Sequence, residues 1–205
     1  MFINYRSCLA PVFMLALICS SIHADESVCS NCQQVGNFIE ELHYISSKIV
    51  KQEKNKTSAY AMLQDIMHKS LNIQNITKFV MGIYWKNSSL EQKEKFMHEY
   101  GKYIVRMYVK QLYIHASYNM SVFLVKEHTT NSYLVKARLV NQNNVDDFII
   151  VVFTVSYDDT LYIDDIKINN MISIAMHQRS MINYIIKEKG IDGAIRYFAD
   201  ENAKL

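Results

Sequence analysis

Proline and glycine are scarce in this chain. Of 205 residues one is proline, Pro11, and five are glycine, Gly36, Gly82, Gly101, Gly190 and Gly193. So few breakers exclude Pro-rich linkers and Gly-rich phosphate loops, and no P-loop, GxGxxG or GxSxG pattern occurs. Charge is equally unhelpful as a signpost. The formal net charge is +2, and no run of five or six like charges is present. That excludes a polybasic arm for nucleic acid or anionic lipid. Metal-ligand spacing is missing too: none of the seven histidines (His23, His43, His68, His98, His115, His128 and His177) stands four residues from another, and no second Cys pair accompanies the first. No metal or cofactor is expected.

The longest apolar run belongs to the leader. Arg6 precedes Cys8 to Cys19 (CLAPVFMLALIC), and Ser20-Ser21-Ile22-His23-Ala24 ends in a small residue. This is the pattern of a secretory signal peptide, residues 1–24, cleaved near Ala24. The run is shorter than the ~20 residues a membrane span needs. Cleavage would remove Arg6, Cys8 and Cys19 and leave Cys29 and Cys32 as a candidate disulfide. In an oxidising compartment that CxxC pair reads as a local staple. The alternative is a thiol-disulfide centre, which wants a strand before the pair, where only a polar leader stands.

Residues 25–205 read as one domain, since their length suits a single core. Val35, Phe38, Ile39, Leu42, Ile45 and Ile49 repeat at helical spacing, as do Met62, Leu63, Ile66, Met67 and Leu71, and then Ile73, Ile76, Phe79, Val80 and Ile83. The clearest helix starts near Ser88, with a capping box from Ser88 and Glu91 or from Ser89 and Gln92. Phe96, Tyr100, Tyr103, Ile104, Met107, Tyr108 and Leu112 mark its apolar face. After Ser117 the period becomes two. Met120, Val122 and Leu124, then Tyr133, Val135, Ala137 and Leu139, alternate with other side chains. Asp147 to Ser156 is apolar on both faces and belongs mid-sheet, Asp158-Asp159-Thr160 is a hairpin turn, and Leu161 to Ile168 returns. Helix resumes with Ile174 to Ile186, capped at Gly190, and ends with Ile191 to Phe198. The expected fold class is α+β: a twisted antiparallel sheet of about four strands wrapped by N- and C-terminal helices around an apolar pocket.

Catalysis finds no support. Asp146-Asp147, Asp158-Asp159 and Asp164-Asp165 are adjacent pairs, whose side chains diverge on a strand. Their plain reading is turn and strand-edge solvation. What remains is an abundance of methionine and of tyrosine, 14 in all, on faces that should meet between sheet and helices. Both residue types suit a pocket for a flexible chain, and both suit an ordinary core.

Three segments carry a resemblance. Met81, Gly82, Tyr84 and Trp85, followed by Ser89, Gln92, Phe96, Arg106 and Tyr108, resemble the MlaC family of periplasmic phospholipid-binding proteins. Ile172-Ser173-Ile174, Arg179 and Gly190-Ile191-Asp192-Gly193 are similar to its closing elements. The chain departs from the pattern at Met171, where a glycine is usual, at Ile182, where Phe is common, and in a loop from Asp165 to Ser173 one residue longer. The resemblance implies a monomeric, non-enzymatic periplasmic carrier. Such a carrier takes phospholipid between an outer-membrane lipoprotein complex and an inner-membrane ABC transporter complex, with no nucleic-acid partner. Enclosing the tails demands an interior face. Tyr100, Tyr103, Ile104, Met107 and Tyr108 from the helix, with Val122, Leu124, Val135, Ala137, Leu139, Ile150 and Val152 from the sheet, are the expected walls. Tyr84, Trp85, Met171 and Ile174 are expected at the mouth, and Arg179 is a candidate headgroup contact or a helix-surface partner of Glu188 or Asp192. Strand parity is open at this point, above all in the doubly apolar strand. The competing readings are the thiol-disulfide protein and an interaction domain with a filled core.

Overall fold

The computed structural model describes residues 29–169 and 172–204. The leader reading and Met171 therefore lie outside the described residues, as do residues 25–28 and 205 of the expected domain. Five helices precede the sheet: α1 (Cys32–Gln52), α2 (Lys56–Ser70), α3 (Ile73–Met81), α4 (Ile83–Asn87) and α5 (Leu90–Ile114). Strands β1 (Tyr118–Thr129), β2 (Ser132–Asn141), β3 (Asn144–Asp158) and β4 (Thr160–Ile168) form an antiparallel meander, to which the two-residue β5 (Ile172–Ser173) adds an edge. Helix α6 (Ile174–Ala203) closes the chain. This is the expected α+β architecture.

Local chemistry places the helix ends. Of the two capping boxes open in the sequence, Ser89 with Gln92 forms: Ser89 Oγ accepts from the Gln92 amide at 3.1 Å, and Gln92 Oε1 accepts from the Ser89 amide at 3.1 Å. Gly82 separates α3 from α4 with φ 55°, and the Arg179 guanidinium lies 2.9 Å from where a Cβ would stand. The positive φ favours glycine there, and the guanidinium fills the space beside it. Gly190, with φ 70° and ψ 175°, breaks α6 into two helical runs, where the sequence places a cap.

The sheet has one inner face, set by register. Val135 pairs with Phe153, Ala137 with Val151 and Leu139 with Ile149. On the opposite face Lys136 pairs with Val152 and Arg138 with Ile150. Two bulges then invert the alternation. In β1, Val122 opposes Ala137 and Leu124 opposes Lys136, so Phe123 is extra. In β4, Thr154 pairs with Asp165 and Val155 with Ile163, so Asp164 is extra. Each inserted residue reverses which later side chains point inward.

Helix α1 lies along β1, and Glu40 Oε1 accepts from the Val122 amide at 2.9 Å on that strand's outer edge. Helices α5 and α6 pack on one another through aromatic rings. Phe198 sits 5.6 Å from Phe96, 5.2 Å from Tyr100 and 5.0 Å from Tyr103, mostly edge-on or tilted. Replacing Phe198 by Ala is expected to cost about 3–5 kcal/mol, whereas Ser89→Ala should cost about 1 kcal/mol. Urea unfolding of both variants, with unchanged slope, checks that order.

Candidate functional site

Between the inner sheet face and the helices lies a cavity of about 130 Å³. Ile39, Leu42 and His43 of α1, Met67 of α2, and Tyr108, Gln111 and Leu112 of α5, with His115 just beyond, form one wall. Met120, Leu139, Ile149, Val151, Phe153, Ile163, Ile166 and Ile168 of the sheet form the other, and Ile174 of α6 joins them. Burial grades along the strands. Phe153, Val151 and Ile163 are buried, while Ile149, Ile166 and Ile168 are half-exposed. The floor thus lies toward Phe153 and Ile163, and the mouth toward Ile149 and Ile168. Apart from the Tyr108 hydroxyl, His43, Gln111 and His115 are the polar side chains of the lining, and none of the lining residues is Lys or Arg.

Residues 40–200 match the family described as MlaC protein. The chain belongs to the MlaC family. Among solved structures it is similar to a phospholipid-binding protein from Ralstonia solanacearum, determined in complex with a phospholipid at 1.53 Å. The TM-score is 0.68 at 13% identity, covering 84% of this chain and 97% of that one. At that identity the likeness establishes the shared fold. No curated protein matches the chain.

Within this MlaC fold the residues expected to form the site divide into four groups. Tyr108, Leu139 and Ile174 line the cavity. Val135 and Ala137 share the inner face and are fully buried in the core, and Val122 shares it against α1, near Gly36. Leu124, Ile150 and Val152 stand on the outer face, which corrects their assignment to the cavity. The β1 bulge turns Leu124 outward, and β3 uses its odd positions inside. On the outer face Ile150 stands opposite Arg138 and Val152 opposite Lys136, and the Arg138 guanidinium lies 4.0 Å over the Phe148 ring. The remaining group packs between helices instead of on the cavity. Tyr100 and Tyr103 meet Phe198, Ile104 is buried, and Met107 Sδ accepts from Gln178 Nε2 at 3.5 Å.

The expected mouth is corrected as well. Tyr84 and Trp85 are on α4, away from the cavity: the Tyr84 carbonyl accepts from Ser88 Oγ at 2.7 Å, and Lys93 lies 5.5 Å from the Trp85 ring. Arg179 stacks 5.0 Å from the Phe79 ring beside Gly82, so it reaches neither the cavity nor Glu188 or Asp192. Cys29 and Cys32 are joined as a disulfide with Cα atoms 5.4 Å apart, and Cys32 opens α1. Among the described residues no group of three His, Cys, Asp or Glu is placed to hold a metal ion. No described helix is long and apolar enough to cross a membrane.

Sequence reasoning passed over His43, Gln111 and His115. Their signal was nonetheless present: Tyr108, Gln111, Leu112 and His115 follow i, i+3, i+4, i+7 spacing, so the polar pair continues the apolar stripe at the end of α5. The mouth is tied together around Tyr118. Its carbonyl accepts from His43 Nε2 at 2.9 Å, its ring meets His115 edge-on at 5.2 Å, and its hydroxyl donates to Asp147 Oδ2 at 2.6 Å. Asn141 Nδ2 also donates to Asp147, at 2.8 Å, and these two hydrogen bonds hold the Asp147 carboxyl below its usual range.

Burial lowers the His43 pKa below 6.5, against the raising influence of the Tyr118 carbonyl. The unfolded chain therefore takes up the proton first as pH falls, and stability declines from about pH 6.5 downward to the lowered folded value. We expect His43→Gln to flatten this part of the acid dependence, as measured by urea midpoints on either side of that window. An unchanged slope would remove His43 from the account.

Proposed function

We propose that this chain carries a phospholipid, with acyl tails between the inner sheet face and helices α1, α2 and α5 and its headgroup at the mouth. The observation that carries the reading is the cavity itself: a wall of aliphatic and aromatic side chains, with its imidazoles and carboxamide gathered where it meets water. Membership in the MlaC family supports it, as does the fold shared with a phospholipid-bound protein. In this reading the leader exports the chain to the periplasm, where it shuttles lipid between an outer-membrane lipoprotein complex and an inner-membrane ABC transporter complex. It acts as a monomer, without catalysis or cofactor.

The energetics set what loading requires. A buried methylene is worth about 0.8 kcal/mol, so a two-chain lipid with ~30 of them places ~24 kcal/mol at stake. The cavity of about 130 Å³ is smaller than the ~300–1,000 Å³ usual for ligand pockets. That is the observation favouring a filled core. Loading must then widen the cavity. Helix α5 packs chiefly on α6, α2, α3 and α1. Its side chains, not close backbone packing, fill the gap to the sheet, so the layers can part without breaking strand pairing.

Native mass spectrometry of protein purified from a membrane-containing host is expected to show a phospholipid adduct; protein that is folded and free of lipid would sink the proposal. Ile149 and Ile150 are neighbours on opposite faces of β3. Ile149→Trp should lower retained lipid by about tenfold or more by overfilling the cavity, and Ile150→Trp should leave it unchanged. Circular dichroism confirms that both variants fold.

A further inference from the structure

The two imidazoles at the mouth are fixed in tautomer by what they touch. A backbone carbonyl can only accept, so His43 Nε2, 2.9 Å from the Tyr118 oxygen, carries a hydrogen. His115 Nδ1, 3.0 Å from the Gln111 oxygen, carries one for the same reason. In a neutral ring the other nitrogen is then a lone-pair acceptor. It offers nothing to a phosphate oxygen and repels it. A second proton converts each remaining nitrogen into a charged donor. Because the cavity lining holds no Lys or Arg among the described residues, these rings are the groups there that can become cationic.

We infer that His43 and His115 form a proton-dependent site for the phosphodiester of the cargo, with the Gln111 carboxamide as a neutral donor beside them. The inference rests on the carrier reading and adds to it how the headgroup is held. The lipid phosphate arrives only if tails fill the apolar floor, which places the charge at this rim.

Groups facing the rings come from each neighbouring element. From α1, Lys51 opposes charge on His43, and Ser47 Oγ stands 3.4 Å from Nε2. Protonated His115 opposes it too. From β3 comes the Asp147 carboxylate, which accepts from the Tyr118 hydroxyl and from Asn141 Nδ2. The β2, β4 and α6 contributions, Leu139, Ile166, Ile168 and Ile174, do not titrate. Without a ligand, then, the buried His43 ring resists a second proton, and a phosphodiester supplies the missing counter-charge. Linkage makes the converse hold: binding the anion draws protons in, and lower pH tightens binding.

The test compares fluorescent phosphatidylglycerol with diacylglycerol of the same chains, each offered in neutral vesicles to the purified protein at about pH 8 and about pH 5.5, the range in which histidine charge changes. Phospholipid retention should rise about tenfold on acidification, the effect of one charge-assisted hydrogen bond, while diacylglycerol retention stays level. The H43Q/H115Q pair should abolish the rise, and H115Q alone, at a half-exposed ring, should reduce it even if the double variant folds poorly. Equal pH responses for the two lipids, or an intact response in H115Q, would overturn the inference while leaving the carrier reading in place. If inorganic phosphate alone raises the melting temperature at low pH and the two lipids are retained alike, the site belongs to free phosphate and the inference fails. Retention of neither lipid at either pH overturns the carrier reading on which it stands.

Discussion

The inner face of the sheet must leave water, and nearly every other feature of this molecule answers that demand. Tyr133, Val135, Ala137, Val151, Phe153 and Val155 are buried, and they can be so only against the helical layer. Near the floor the fit is complete, with Val35, Leu63 and Ile104 fully or almost fully buried among them. Toward the mouth it is not, and Ile149, Ile166 and Ile168 are left facing space. An apolar wall without its partner atoms forgoes dispersion contacts as well as hydrophobic burial. Hydrocarbon seated against these side chains would supply the contacts they lack.

Apart from the Tyr108 hydroxyl, the polar side chains of the lining stand at the end where that gap opens. Tyr118 joins α1, the end of α5 and β3 through its carbonyl, ring and hydroxyl, so the mouth is a hydrogen-bonded rim around an apolar interior. Putting the imidazoles there avoids the desolvation that either would suffer at the floor. His43 already shows that cost in its depressed pKa.

Helix α5 serves two faces along its length. Its first half, through Phe96, Tyr100 and Tyr103, meets α6, and its last turns, through Tyr108, Gln111 and Leu112, meet the cavity. An apolar stripe at helical spacing shows that a helix is covered, but not by what. That is why Tyr100, Tyr103, Ile104 and Met107 were legible as buried or half-buried side chains, while their place off the cavity lining was not. The place of Arg179 was illegible for a related reason, since its stacking on Phe79 beside Gly82 depends on two helices distant in sequence.

The amino-acid sequence by itself determined the order of helices and strands, a capping box at Ser88 or Ser89, the hairpin at Asp159, the break at Gly190 and the family to which the chain belongs. Each of these rests on neighbours a few residues apart, whose periodicity, turn chemistry and caps are local properties. Only the tertiary structure decided which side chains share the cavity. In β3 both parities are apolar, and a bulge in β1 or β4 inverts all that follows it, so inward and outward differ by one residue of register. Register is a contact between strands, settled by the summed packing of a whole face against helices folded elsewhere, and no local pattern encodes that sum.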